Sequence, residues 1–205
     1  DAESLHRIAQ LDVRLLNLDR HSGNILVTEP GKYRGLSDPR KRSLVPIDHS
    51  YSLPSIHELS DVTFEWLNNP LIKLPPSDIT KRYVAHLDPF ADVITLQRLN
   101  FPVESLLAYI VSTITLQRSM ARELTLFDVG SMLVRGSGRS IVEGIVDECI
   151  PYATAAADKV VAEPRNHGIT QFELLQVWLS AFLHEVCICV DVEIDRCYAS
   201  KMKSN

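Results

Sequence analysis

Cysteine is scarce in this 205-residue sequence: Cys149, Cys187, Cys189 and Cys197, all in its last third. Four late cysteines make no disulfide framework, so the expected compartment is a reducing one, the cytoplasm. Positive charge is also in deficit. Lys and Arg number 21 against 26 Asp and Glu, a formal net charge of -5. That excludes a nucleic-acid binder driven by bulk charge and tight adhesion of the whole chain to an anionic membrane. No clean membrane span is present. The most apolar late stretch, Leu174 to Val192, contains Gln176, His184, Glu185 and Asp191, which a lipid-facing helix would not carry. Internal repeats and low-complexity tracts are missing too. No signal peptide is read, and because the chain opens at Asp1 almost inside a helix, a longer protein is expected upstream.

What remains is ordinary globular composition, 45% hydrophobic and 23% charged, in a length that suits one large domain. Leu5, Ile8, Leu11 and Leu15 recur at spacings of three or four and predict a helix over 2–13. Two short strands follow, Asn24 to Thr28 and Ser43 to Ile47, joined by a long loop rich in Gly, Pro and charge. From there the chain reads as helical. Asp61 to Leu67 predicts a short helix carrying Phe64 and Trp66, with Trp66 and Trp178 as core anchors. Ser77 caps a helix to His86, Asp88-Pro89 opens one to Leu99, and Val103 to Leu124 forms a core helix. Thr125 with Asp128, and Thr170 with Glu173, are capping boxes.

The chemistry lies in Asp19-Arg20-His21-Ser22-Gly23-Asn24, which enters the strand Ile25-Leu26-Val27. An Asp with an Asn five positions later, entering a strand, is the layout of a kinase catalytic loop: the Asp receives the proton of the attacking hydroxyl and the Asn holds magnesium. The next strand, Val45-Pro46-Ile47, ends in Asp48, the position of a second metal-binding carboxylate. Two carboxylates about 4 Å apart repel by roughly 4 kcal/mol at an effective dielectric near 20. A bound Mg²⁺, a hard cation preferring oxygen ligands, reverses that cost. Arg20, His21 and His49 read as braces of the loop, since Asp19 already takes the base position. The basic residues Lys32, Arg34, Arg40, Lys41 and Arg42 offer a peripheral membrane contact, although such runs are more often solvated. His184, Cys187 and Cys189 have poor spacing for zinc and read as helix core.

These motifs, with Leu11-Asp12-Val13-Arg14, Phe64-Glu65-Trp66-Leu67, Leu87-Asp88 and the run from Glu123 to Met132, resemble the phosphatidylinositol 3- and 4-kinase superfamily. The nearest likeness is to the type II-like phosphatidylinositol 4-kinases, especially the plant gamma class with ubiquitin-like domains. The resemblance covers about residues 4–135. It implies an α+β, predominantly helical, C-terminal kinase lobe over residues 1–135, with the catalytic loop at 15–28 and the metal motif at 45–50 on a short β-hairpin. A helical C-terminal extension follows at 136–205. By position, Asp19 would be the catalytic Asp, Asn24 and Asp48 the metal ligands, and Ile47 part of the adenine pocket. ATP and Mg²⁺ would be the cofactors.

The acceptor so implied is the 4-hydroxyl of phosphatidylinositol. The alternatives are a Ser/Thr protein kinase of the same family, since some plant gamma members look like protein kinases, and an inactive ATP-binding scaffold. Ser50 stands where the family usually has Gly, which removes backbone freedom after the metal Asp. The cysteine-rich palmitoylated motif of animal type II enzymes is absent. Between Ser50 and Pro76 the only Lys or Arg is Lys73, which suits an acceptor without extra phosphates. The N-lobe that the resemblance implies is expected to lie outside residues 1–205, which alone are expected to hold half of an ATP site and not to catalyse.

Overall fold

The computed structural model describes residues 2–29, 42–134, 139–163 and 168–204. Most of the basic loop read from the sequence, Lys32, Arg34, Arg40 and Lys41, lies outside them, while Arg42 is exposed. The described chain is mainly helical with four very short strands. Helix α1 runs Ala2–Leu15 and buries the stripe Leu5, Ile8, Ala9 and Val13. Strands β1 (Asp19–Arg20), β2 (Ile25–Val27), β3 (Leu44–Pro46) and β4 (Thr63–Phe64) follow, with 3-10 turns between β1 and β2 and between β3 and β4. Then come helices α2 (Asp78–Ala85), α3 (Pro89–Arg98), α4 (Val103–Ala121), α5 (Leu126–Leu133), α6 (Ile141–Ala162) and α7 (Gln171–Ser204).

Helix α4 is the pillar. It touches all six other helices, and every residue from Ser105 to Leu116 is buried. A helix apolar all round belongs inside. Even its Ser112 and Thr115 hydroxyls turn inward and bond to carbonyls one turn back, those of Tyr109 and Val111. Helices α6 and α7 pack on one another and on α4, through Val142, Ile145, Val146, Phe182, Val186, Val190 and Ile194. Helix ends follow the residues that cap them. Ser77 accepts from Thr80 N–H, and Asp88 accepts from the N–H groups of Phe90 and Ala91 with Pro89 in the first turn. The Thr125/Asp128 and Thr170/Glu173 boxes form in both directions, and Ser140/Glu143 adds a third at the start of α6.

Strands β2 and β3 pair antiparallel, Ile25 with Pro46, Leu26 with Val45 and Val27 with Leu44, as the two expected strands; most of the loop expected between them lies outside the described residues. Elsewhere the sequence reading needs correction. Asp61 to Leu67 is not a helix. A 3-10 turn at Ile56–Asp61 leads into β4, and a second 3-10 turn follows at Glu65–Asn68. The cause is a tertiary bond. Strand β4 runs parallel to β1, in register Asp19 with Thr63 and Arg20 with Phe64, and Thr63 N–H reaches Leu18 O at 2.8 Å. A partner strand 44 residues away outweighs local propensity. Trp66 is 2% exposed and stacks on Phe64 with ring centroids 4.7 Å apart. Trp178 is only half-buried, stacked on Phe182 and donating to Thr154 Oγ1.

Candidate active site

The chain leaves α1 through Leu16, which holds a φ of 47°. That left-handed residue turns the backbone sharply, and Asn17 lands beneath the catalytic loop, 1% exposed. Asn17 Oδ1 accepts Asp19 N–H at 3.2 Å and its Nδ2 reaches Asp48 O at 3.5 Å. One buried amide therefore touches the segments that carry both carboxylates. Further along, His21 Nδ1 accepts Gly23 N–H at 3.1 Å, capping the 3-10 turn Ser22–Asn24. A Cβ on Gly23 would sit 2.8 Å from the His21 ring, so glycine is required for that approach. Glu65 Oε2 accepts Ser22 N–H at 2.5 Å, a bond that holds the Glu65 carboxyl below its ordinary range.

Arg20 is the hub of the loop. Its side chain has no solvent exposure, and its guanidinium bonds four partners. Nε bonds Asp12 Oδ1 and Oδ2 at 2.9 and 3.0 Å. Nη1 donates to Asn24 O at 2.8 Å and to Ile47 O at 2.6 Å, and Nη2 meets His49 Nδ1 at 3.2 Å. The Asp12 carboxylate also receives Trp66 Nε1 at 3.1 Å. Burial pushes its carboxyl up to about 6, against the lowering influence of Arg20, Trp66 and Asn17. Helix α1, the catalytic loop, the end of β3 and the turn after β4 thus meet at one ion pair.

Asn24 is buried and gives its Nδ2 to Asp19 O at 3.1 Å, which leaves Oδ1 for another partner. Asn24 O accepts Ile47 N–H at 2.9 Å, so the loop and the Asp48 strand are joined backbone to backbone. Asp48 itself holds a φ of 54° and is exposed. Its Oδ1 accepts the Ser50 hydroxyl at 2.6 Å and the Ser50 N–H at 3.2 Å. Those two bonds, hydroxyl first, hold its carboxyl below the usual range. The left-handed position is Asp48, a residue type that tolerates it; Ser50 is not among the positive-φ residues. The backbone freedom expected to be lost at Ser50 is therefore not called upon. Asp19 is exposed by about half, with Oδ2 3.9 Å from His21 Nε2.

All four candidate residues thus fall in one region, Asp19 and Asn24 on the loop, Ile47 and Asp48 just past β3, where Ile47 N–H bonds Asn24 O. Ile47 is 36% exposed on the same hairpin as Leu26 and Val27, exposed by 51% and 59%. Arg20 and His49 are braces by geometry, and His21 caps the turn. Sequence reasoning missed Asn17 and gave Asp12 no role. An Asn two residues before an Asp, in the first residues after a helix, is an Asx-turn signal that points to Asn17; nothing local marks Asp12. Among the described residues no three His, Cys, Asp or Glu side chains gather as a metal cluster, His184, Cys187 and Cys189 included, and no helix is long and apolar enough to cross a membrane.

The sequence model of the family described as phosphatidylinositol 3- and 4-kinase matches residues 2–128. Among curated proteins, the chain is 39% identical over 150 residues to phosphatidylinositol 4-kinase gamma 4 of Arabidopsis thaliana, which covers 71% of this chain and 25% of that protein. It is 40% identical over 136 residues to gamma 1 of the same plant, covering 65% of this chain and 24% of that one. It is 38% identical over 150 residues to gamma 4 of Oryza sativa subsp. japonica, covering 71% and 25%. The chain spans about a quarter of the length of these relatives. No solved structure matches it.

Proposed function

The chain belongs to the phosphatidylinositol 3- and 4-kinase family, and we propose that it forms the C-lobe side of an ATP-dependent phosphatidylinositol 4-kinase. In this reading the γ-phosphate of ATP goes to the 4-hydroxyl of phosphatidylinositol. Asp19 takes the hydroxyl proton on its exposed carboxylate. Ile47, Leu26 and Val27, apolar and exposed on the hairpin, lie under the adenine. The observation that carries the proposal is the bonding of the two signature segments to each other: Ile47 N–H to Asn24 O, with Arg20 gripping both carbonyls.

The residues suit magnesium. Asn24 Oδ1 is freed by the Nδ2 bond to Asp19 O. Asp48 is kept charged by Ser50 and has only Oδ1 engaged by it. An amide oxygen and a carboxylate, completed by phosphate oxygens, are an ordinary Mg²⁺ environment. Magnesium held there would neutralise phosphate charge during transfer. The buried clamp around Arg20 fixes the spacing of the two ligands, which is the protein's main contribution in a reaction that rests on placement and charge. A cytoplasmic enzyme working at a membrane face, touching it through the basic residues 32–42, fits a lipid acceptor.

The test is Asp19→Asn and Asp48→Ala in the full-length protein, with radiolabelled ATP and both phosphatidylinositol vesicles and a Ser/Thr protein acceptor. Each substitution should lower transfer by about 100-fold or more. Wild-type turnover in both variants would overturn the assignment. Label in protein alone would favour the protein-kinase alternative, and Mg-ATP binding without turnover the inactive scaffold.

A further inference from the structure

Helices α6 and α7 form an antiparallel hairpin: Trp178 meets Thr154, and Cys189 Sγ lies 3.9 Å from Cys149 Sγ. A groove of about 340 Å³ lies between them, lined by residues of these two helices alone. Its α7 wall carries Ile188 and Val192, one turn apart and 46% and 45% exposed. With Ala181 and Glu185 they follow steps of four, three and four, the spacing of a seam that meets another helix. On the α6 wall, Gly144 leaves a notch, because nothing lies within 4 Å of a Cβ placed there. An exposed apolar pair beside an unfilled notch marks a helix surface that lacks a neighbour. The groove is also acidic. Glu148, Glu185 and Glu193 are set against one cation, Arg196, and that cation is spent on Glu193. Among the described residues Glu148 and Glu185 have no ion pair. Burial pushes the Cys189 thiol up, and the charges of all three carboxylates add to that rise.

We propose that this groove docks a basic amphipathic helix of a partner protein, with apolar residues seated over Ile188 and Val192 and with Lys or Arg beside Glu148 and Glu185. Charge selects this occupant. An anionic lipid face and a nucleic acid would both be repelled, and a second copy of this chain would bring the same carboxylates against these. A small organic cation would match the carboxylates and leave Ile188 and Val192 in water. A helix laid along the hairpin covers that apolar pair, as ridges fill a groove. Covering the two carboxylates without a counter-charge would be costly, so the occupant brings cations. The inference does not rest on the phosphotransferase reading, since Asp19, Asn24 and Asp48 lie outside the groove.

The experiment uses the full-length protein and a fluorescent synthetic helix of about three heptads, with Leu at the a and d positions and Lys at the flanking ones. One control peptide has Glu in place of every Lys, and a second keeps the Lys residues and has Ser in place of every Leu. Anisotropy should show saturable binding of the basic amphipathic peptide alone. Ile188→Ser/Val192→Ser should weaken that binding by about 10-fold, the loss expected when two contacts are truncated. Glu148→Gln/Glu185→Gln should weaken it by about as much at low salt and by less at high salt. Gly144→Gln fills the notch with a better helix former. It should weaken binding while the urea midpoint holds, which separates loss of the groove from loss of the fold. No binding at about 1 mM peptide, equal binding of the Ser control, or wild-type affinity in all three variants overturns the proposal. So does binding to phosphatidylserine vesicles, or self-association in sedimentation, that Ile188→Ser/Val192→Ser abolishes; either outcome gives the groove to a lipid surface or to a second copy.

Discussion

Arg20 and Asp12 form an ion pair in which neither side chain is exposed, with Nε 2.9 Å from Oδ1 and 3.0 Å from Oδ2. Sealing two charges from water is costly, and the pair recovers that cost only through further bonds. Here those bonds run to the functional region: Asn24 O, Ile47 O and His49 from Arg20, Trp66 from Asp12. The pair sits where it joins the two segments that carry the candidate metal ligands Asn24 and Asp48.

Removing one partner should be far worse than removing both. Arg20→Ala leaves the Asp12 carboxylate buried with only its neutral donors and should cost about 3–5 kcal/mol, read as a fall in the urea midpoint. The double substitution Asp12→Leu/Arg20→Met exchanges the pair for apolar volume and should recover a large part of that loss. It restores no donor to Asn24 O or Ile47 O, so phosphate transfer by the full-length protein should stay low while stability returns. A fall of less than about 1 kcal/mol in Arg20→Ala would show that the pair is not what closes this region.

Much of this arrangement was legible in the chain itself. Asp19, Asn24, Ile47 and Asp48 lie on two short segments whose order and spacing carry their own signal, and the hairpin between them has strand residues at both edges. Helix ends were legible because caps act within three residues, as at Ser77, Asp88 and Thr125. What escaped was set by partners distant in sequence. Strand β4 exists because β1 is there to receive it, and Trp66 finds Asp12 across 54 positions.

Two helical glycines should respond to the same substitution with opposite signs. A Cβ at Gly130 of α5 would lie 2.5 Å from Trp66 Cη2 and 2.8 Å from Cζ3. The indole cannot retreat freely, since its Nε1 is tied to Asp12. Gly130→Ala should therefore destabilise by about 1–3 kcal/mol, as overpacking does. At Gly144 of α6 nothing lies within 4 Å of the added carbon, so Gly144→Ala should stabilise by up to about 1 kcal/mol through helix propensity. Thermal unfolding of the two variants beside wild type measures both. Stabilisation in Gly130→Ala would mean that the notch over Trp66 does not exist.

The C-terminal helix α7 is fastened to α4 by charge, and that fastening should fail in acid. Asp191 takes both Arg118 Nε, at 2.7 Å, and Arg118 Nη2, with Arg122 Nη2 at 3.2 Å. The hydrogen bonds from Arg118, helped by the charges of both arginines, hold its carboxyl below its ordinary 3.8. A group with a depressed native value stabilises fully above its unfolded value, and the contribution is lost as pH falls through the native one. Between about pH 5 and about pH 3, wild type should therefore lose stability more steeply than Asp191→Asn, with the two curves converging at the acid end. At neutral pH the substitution should cost about 1 kcal/mol, because the pair is partly solvated, and high salt should narrow the gap. Urea midpoints across that range decide it: parallel curves would place the acid-sensitive bond elsewhere than on Asp191.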